Sequence, residues 1–128
     1  MLKRLKETLN EQKLCSDGDR ILLAVSGGVD SVVMAHLFHS AGYDCAVAHC
    51  NFQLRGEDSN ADETFVRELA GYLERPFFVT RFDVDEVVQA RGISVQMAAR
   101  ELRYDWFGKL LSDQGFDVLA TAHNKNDS

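Results

Sequence analysis

Two glycines and two serines fall within six residues, Ser26-Gly27-Gly28-Val29-Asp30-Ser31, directly after the apolar run 21–25. Serine hydroxyls donate to phosphate oxygens, and glycine lets backbone N–H groups approach an anion closely. A helix beginning behind such a loop adds the positive end of its dipole. The chemistry this predicts is the holding of a nucleotide phosphate; the bland alternative is a tight turn whose glycines serve only packing. The dinucleotide fingerprint G-x-G-x-x-G is absent, as is the lysine of G-x-x-x-x-G-K-[ST] that reaches terminal phosphates. A loop lacking that lysine suits pyrophosphate held as a leaving group better than transfer of a terminal phosphoryl. Asp30 would repel a bare polyphosphate, so it either shares Mg2+ with the phosphates or caps the helix and braces the loop. Asp127 supplies a second carboxylate to the same ion if the last polar stretch folds across the site.

Further polar residues stand where apolar runs end. His49 and His123 each close a strand; His123 lies among Asn124, Asn126 and Asp127, groups suited to phosphate, metal or ribose, while His49 reads equally as a hydrogen-bonded structural residue. Arg55 either stabilises phosphate charge or pairs with Glu57 or Asp58. Arg100 and Arg103 are three apart with Tyr104 adjoining, a pattern that serves helix salt bridging or an acidic substrate. His36 and His39 read as surface residues of a helix, and the four histidines share no zinc-ligand spacing.

The elements that must carry these residues follow from periodicity. Residues 3–15 form an amphipathic helix with Leu5, Leu9 and Leu14 on one side, so 1–19 is expected to be a lead-in and 20–128 a nucleotide-phosphate-binding domain, expected to be cut short at its C-terminal end. The uniformly apolar 21–25 reads as a central parallel strand. A helix runs from Asp30 to Gly42, and 45–48 is a second strand ending at His49-Cys50-Asn51. Residues 54–59 form a loop, with Ser59 and Asp62 as a weak capping box for a helix over 61–73. Pro76 precedes a strand over 77–82; a short helix over 83–90 and a long one over 94–111 follow, the latter with Val95, Ala99, Leu102, Trp106 and Leu110 on its apolar face. Residues 116–121 are a fourth strand. Strands alternating with helices predict an α/β Rossmann-like parallel sheet with helices on both faces and ligands beyond the carboxyl ends of the strands. The Ser26 loop, 49–55 and 123–128 all belong at that end.

Composition narrows the function. The 128 residues carry 14 Lys plus Arg against 20 Asp plus Glu, a net charge of −6, so bulk electrostatics do not wrap this domain around nucleic acid. Three cysteines, Cys15, Cys45 and Cys50, are too few for a disulfide scaffold, and without a C-x-x-C pair iron–sulfur chemistry is a poor fit. Cys45 and Cys50 face opposite sides of one strand. Neither a membrane span nor a secretory signal is legible, and the expected localisation is cytoplasmic.

The Ser26–Ser31 run resembles the pyrophosphate loop of the N-type ATP pyrophosphatases, which include GMP, NAD and argininosuccinate synthetases and several tRNA-modifying enzymes. Three further blocks are Ala48-His49-Cys50-Asn51-Phe52-Gln53-Leu54-Arg55-Gly56, Ala99-Arg100-Glu101-Leu102-Arg103-Tyr104 and Thr121-Ala122-His123-Asn124-Lys125-Asn126-Asp127-Ser128. In this order they resemble the N-terminal catalytic domain of the tRNA(Ile)-lysidine synthetase family, over residues 20–128. Phe52 and Gln53 depart from the histidine and glycine usual there, and 123–128 departs from His-His-x-Asp-Asp-Gln. The resemblance implies the adenine nucleotide alpha hydrolase-like (HUP/PP-loop) fold. It also implies a ligase that uses ATP and Mg2+ to join free L-lysine to C2 of the wobble cytidine in tRNA(Ile) with a CAU anticodon. Ser26, Gly27, Gly28, Val29, Asp30 and Ser31 would bind the nucleotide, together with His49, Arg55 and Arg100. Asp30 and Asp127 would hold metal, and Asp30, His123, Asp127 and Arg103 would act in catalysis. A tRNA thiolase of the same superfamily and a non-catalytic nucleotide-binding module are the alternatives, and a homodimer of the full-length protein stays open.

Overall fold

The computed structural model describes residues 18–54 and 57–122. Four strands, β1 (Arg20–Ala24), β2 (Asp44–Asn51), β3 (Phe77–Arg81) and β4 (Val118–Thr121), form one parallel sheet in the order β3-β2-β1-β4. The chain builds outward from β1 through β2 to β3, then returns to place β4 on the other side of β1. That reversal opens a crevice at the carboxyl ends of β1 and β4.

Alternation along the strands divides the core. Ile21, Leu23 and Val25 of the first strand region, with Cys45 and Val47 of β2, face helices α1 (Val29–Ser40) and α2 (Glu57–Tyr72). Leu22 and Ala24, with Ala46, Ala48 and Cys50, face the opposite side. Helix α4 (Val95–Gln114) covers that side through Tyr104, Phe107, Leu110 and Leu111. The short α3 (Val84–Arg91) packs on α4, and Arg91 pairs with Glu101 between them. The two cysteines therefore lie on opposite faces, as their odd spacing requires.

Local signals explain most boundaries. Asp83 caps α3 by accepting from the Glu86 amide at 3.1 Å, and Ser94 caps α4 by accepting from the Met97 amide at 3.1 Å. Helix α4 runs three residues past the expected Leu111. Fully buried on it are Ala98 and Phe107, while Val95 of the expected apolar face is exposed. Helix α2 begins at Glu57, so Ser59 and Asp62 lie within its first turns and form no capping box; Glu57 and Asp58 put negative charge at the helix start instead. The expected helix over 3–15 falls outside the described residues, as do Arg55 and 123–128. Among the described residues no helix is long and apolar enough to cross a membrane.

Candidate functional site

The Ser26 loop leaves β1 and turns into α1, and its own hydroxyls hold its shape. Ser31 Oγ donates to the Gly28 carbonyl at 2.9 Å and accepts from the Ser26 amide at 3.2 Å. The Gly28 amide donates to Ser26 Oγ at 3.3 Å. Ser31 is buried, so its hydroxyl braces the loop, whereas Ser26 is exposed at the rim. Gly27 has φ +102°, a backbone conformation that calls for glycine, although a Cβ there would make only ordinary contact with the Asp62 side chain at 3.4 Å. Gly28, at φ −74° and ψ 161°, is extended backbone that any residue adopts; of the two glycines only the first is conformationally required.

Gly28 is also the N-cap of α1, and no side chain caps that helix. Capping by Asp30, one of its two expected roles, is thus not realised. Its carboxylate sits exposed in the first turn of α1. A helix start with no capping side chain, preceded by a loop of close-set amides, suits an oxyanion.

Beside the loop lies a cavity of about 360 Å³ between the sheet and α4. Its floor is a row of small side chains in register across three strands: Ala48, Ala24 and Thr121. Phe107 closes the inner end and Phe52 stands at the end of β2. Arg100 and Arg103 line the α4 side, and both guanidiniums rest on the Tyr104 ring, at 5.2 and 5.1 Å from its centre. Arg103 Nε is buried without a partner. The structure therefore brings Ser26, Ser31, Arg100 and Arg103 to one cavity, a cationic wall facing an anion-suited loop.

His49 is placed differently. It is 3% exposed, and its Nδ1 donates to the Val25 carbonyl at 2.8 Å, where the chain leaves β1 for the loop. Its Nε2 is buried and unpartnered. The ring borders a second cavity of about 180 Å³, shared with Ser26, Phe52 and Leu54, and does not line the larger one. His49 therefore reaches the loop through the Val25 carbonyl. Of the remaining expected site residues, Arg55, His123 and Asp127 lie outside the described residues.

Sequence reasoning missed Phe52, Cys50 and the alanine floor. Phe52 stood out only as a departure from the resembled motif, yet it borders both cavities and stacks on Phe82 at 5.7 Å. Burial pushes the Cys50 thiol up to about 12, with the Arg103 charge opposing, so it is no nucleophile at neutral pH. The legible signal for the floor was the pair of small residues Ala24, at the end of β1, and Ala48, in the second half of β2.

A PP-loop domain model matches residues 1–128. The chain belongs to the PP-loop domain family. It is 44% identical, over 98% of its length, to a tRNA(Ile)-lysidine synthase from Bacteroides thetaiotaomicron, and 45% identical, over 98%, to one from Chlorobaculum tepidum. It covers 30% and 39% of those two relatives, so it spans about a third of their length. In shape it resembles an NH3-dependent NAD synthetase from Campylobacter jejuni, solved with a nitrate ion. The TM-score is 0.76 over 97% of this chain and 56% of that one, at 15% identity, which speaks for the fold alone. The expected HUP/PP-loop architecture is therefore the observed one.

Proposed function

We propose that this chain forms the ATP-binding part of a tRNA(Ile)-lysidine synthase, an ATP-dependent carbon–nitrogen ligase. The observation that carries the reading is the single cavity flanked by the PP-loop on one side and by Arg100 and Arg103 on the other. The names and identities of its relatives supply the acceptor.

In this reading ATP enters the larger cavity with its β- and γ-phosphates on the loop amides and the Ser26 hydroxyl. O2 of the wobble cytidine attacks the α-phosphorus, the bond to the β-phosphate oxygen breaks, and pyrophosphate leaves. The amine of free lysine then attacks C2, O2 departs with AMP, and the amine gives up a proton. Arg103, unpartnered at Nε, compensates charge on the α-phosphate as it builds, and Arg100 at the rim meets phosphate or the incoming RNA. Ser31 and His49 keep the loop in shape. The His49 Nδ1–H donates to the Val25 carbonyl and so orients the ring.

The donor set also fits Mg2+. Asp30 offers a hard, exposed carboxylate beside the loop, and Mg2+ is commonly held by one or two carboxylates together with substrate phosphates. Asp30 and Asp127 would hold the ion, which would neutralise phosphate charge when bound. Arg55 completes the proposed nucleotide-binding residues and His123 the proposed catalytic ones.

The test is incubation of the enzyme at its full natural length with ATP, Mg2+, labelled lysine and unmodified tRNA(Ile) bearing a CAU anticodon. Lysine incorporated only when both ATP and that tRNA are present supports the reading. Sulfur incorporation in its place, or no product, overturns it.

A further inference from the structure

A group of buried polar side chains stands just outside the nucleotide cavity and touches none of it. Asn51, the last residue of β2, is 1% exposed. Its Nδ2 donates to Asn60 Oδ1 at 3.0 Å and to Glu63 Oε1 at 3.2 Å, and its Oδ1 accepts from the Gln53 amide at 2.9 Å. Glu63, on α2, is 5% exposed and takes both prongs of Arg81 from the end of β3, at 3.0 and 2.9 Å. Arg67 approaches the same carboxylate at 3.5 Å.

The two residues after Asn51 are clamped from the other side as well. The Phe82 amide donates to the Asn51 carbonyl at 2.9 Å, and Gln53 Nε2 donates to the Phe82 carbonyl at 3.0 Å. Gln53 has φ +57°, a left-handed conformation that a non-glycine residue keeps only where its surroundings over-determine it. Between these anchors Phe52 is turned so that one side stacks on Phe82 and the rest borders both cavities.

We propose that Asn51 and Glu63 are positioning residues for nucleotide binding, acting by fixing the Phe52 wall of the cavity; the inference rests on the reading of that cavity as the ATP site. Burying a carboxylate stabilises a fold less than burying apolar side chains of the same volume. Its return here is geometric: three elements, β2, α2 and β3, are locked to the residue from which the cavity wall departs. Glu63 lines neither cavity and Asn51 only the smaller, so both act through Phe52. Placement errors of about 1 Å in such a supporting shell cost roughly tenfold to a hundredfold in binding or rate.

The test uses the full-length enzyme with Asn51→Ala and Glu63→Gln, and with Leu73→Ala as a core baseline that loosens α2 at a site away from the clamp. ATP affinity is measured by equilibrium dialysis with labelled ATP, KM and kcat by lysine incorporation, and Tm by thermal unfolding. The clamp variants are expected to weaken ATP binding and raise its KM about tenfold with kcat at saturating ATP unchanged, while Leu73→Ala lowers Tm and leaves ATP affinity as it was. Clamp variants that lose Tm but bind ATP as tightly as Leu73→Ala overturn the proposal. Should Asn51→Ala fail to fold, the isosteric Glu63→Gln decides by the same comparison. Failure of the unaltered enzyme to bind ATP is a different result, because it overturns the ATP reading itself.

Discussion

The two faces of the sheet use the same strands for opposite ends. Toward α1 and α2, β1 and β2 present Ile21, Leu23 and Val47, fully buried against Phe38, Val66 and Leu69, and only the small cavity beside His49 opens at the end of that face. Toward α4 the alternate residues are Leu22, Ala24, Ala46, Ala48 and Cys50, smaller on the whole and down to alanine beside the loop. One strand thus contributes cohesion on one side and room on the other, and the room is the cavity beside the Ser26 loop. Stability and binding are separable here because period-two alternation puts their determinants on different residues of the same segment.

Asp30→Ala should separate them most sharply. Lysine incorporation is expected to fall about a hundredfold or more, the scale of losing a key electrostatic group, with Tm unchanged since the side chain is exposed and caps nothing. Activity near the parent rate would remove Asp30 from the metal role. Next in size is a matched pair across the sheet. Leu23→Ala should cost roughly 2–5 kcal/mol in urea unfolding and leave ATP affinity intact, because it empties the closed face. Ala48→Leu should instead abolish ATP binding while costing only about 1–3 kcal/mol, because it fills the cavity floor. If Leu23→Ala weakens ATP binding as much as Ala48→Leu does, the division of labour is wrong.

A smaller effect distinguishes the two loop glycines. Gly27→Ala should lose about 1–3 kcal/mol from backbone strain at its positive φ, whereas Gly28→Ala should unfold at nearly the parent temperature. Equal losses in thermal unfolding would contradict the conformational distinction. The smallest effect concerns acid. The hydrogen bond from Arg81 is the main cause holding the Glu63 carboxyl down to about 2 from 4.5; burial opposes it, and the Asn51 hydrogen bond and the charges of Arg81 and Arg67 reinforce it. A carboxyl depressed on folding stabilises fully above its unfolded value and loses that contribution as pH falls through the folded one. The parent should therefore lose urea stability between about pH 4.5 and 2 more steeply than Glu63→Gln. Parallel profiles would show that Glu63 is not the titrating group.

Much of this was legible because it is local. The order of strands and helices, the starts of α3 and α4 near Asp83 and Ser94, the opposed cysteines and the loop between β1 and α1 all follow from spacing and side-chain chemistry within a few residues. The start of α2 was misplaced because Ser59 resembles a cap, while the acidic pair Glu57 and Asp58 two residues earlier begins the helix. His49 was weighed as a ligand or a structural residue, and only the carbonyl it meets 24 positions away assigns it a bracing part.

By itself the sequence determined which segments could carry chemistry: an anion-binding turn, two arginines beside a tyrosine, and polar clusters where the strands end. Only the tertiary structure decided that Ala24, Ala48 and Thr121 stand in one row, that Arg100 and Arg103 look across it at Ser26, and that Glu63 holds Arg81 and Asn51 together. The physical reason is range. Backbone preferences and hydrophobic periods act within a turn or a strand, whereas a cavity is the space left between elements, and its size depends on side chains that meet only when the sheet has formed.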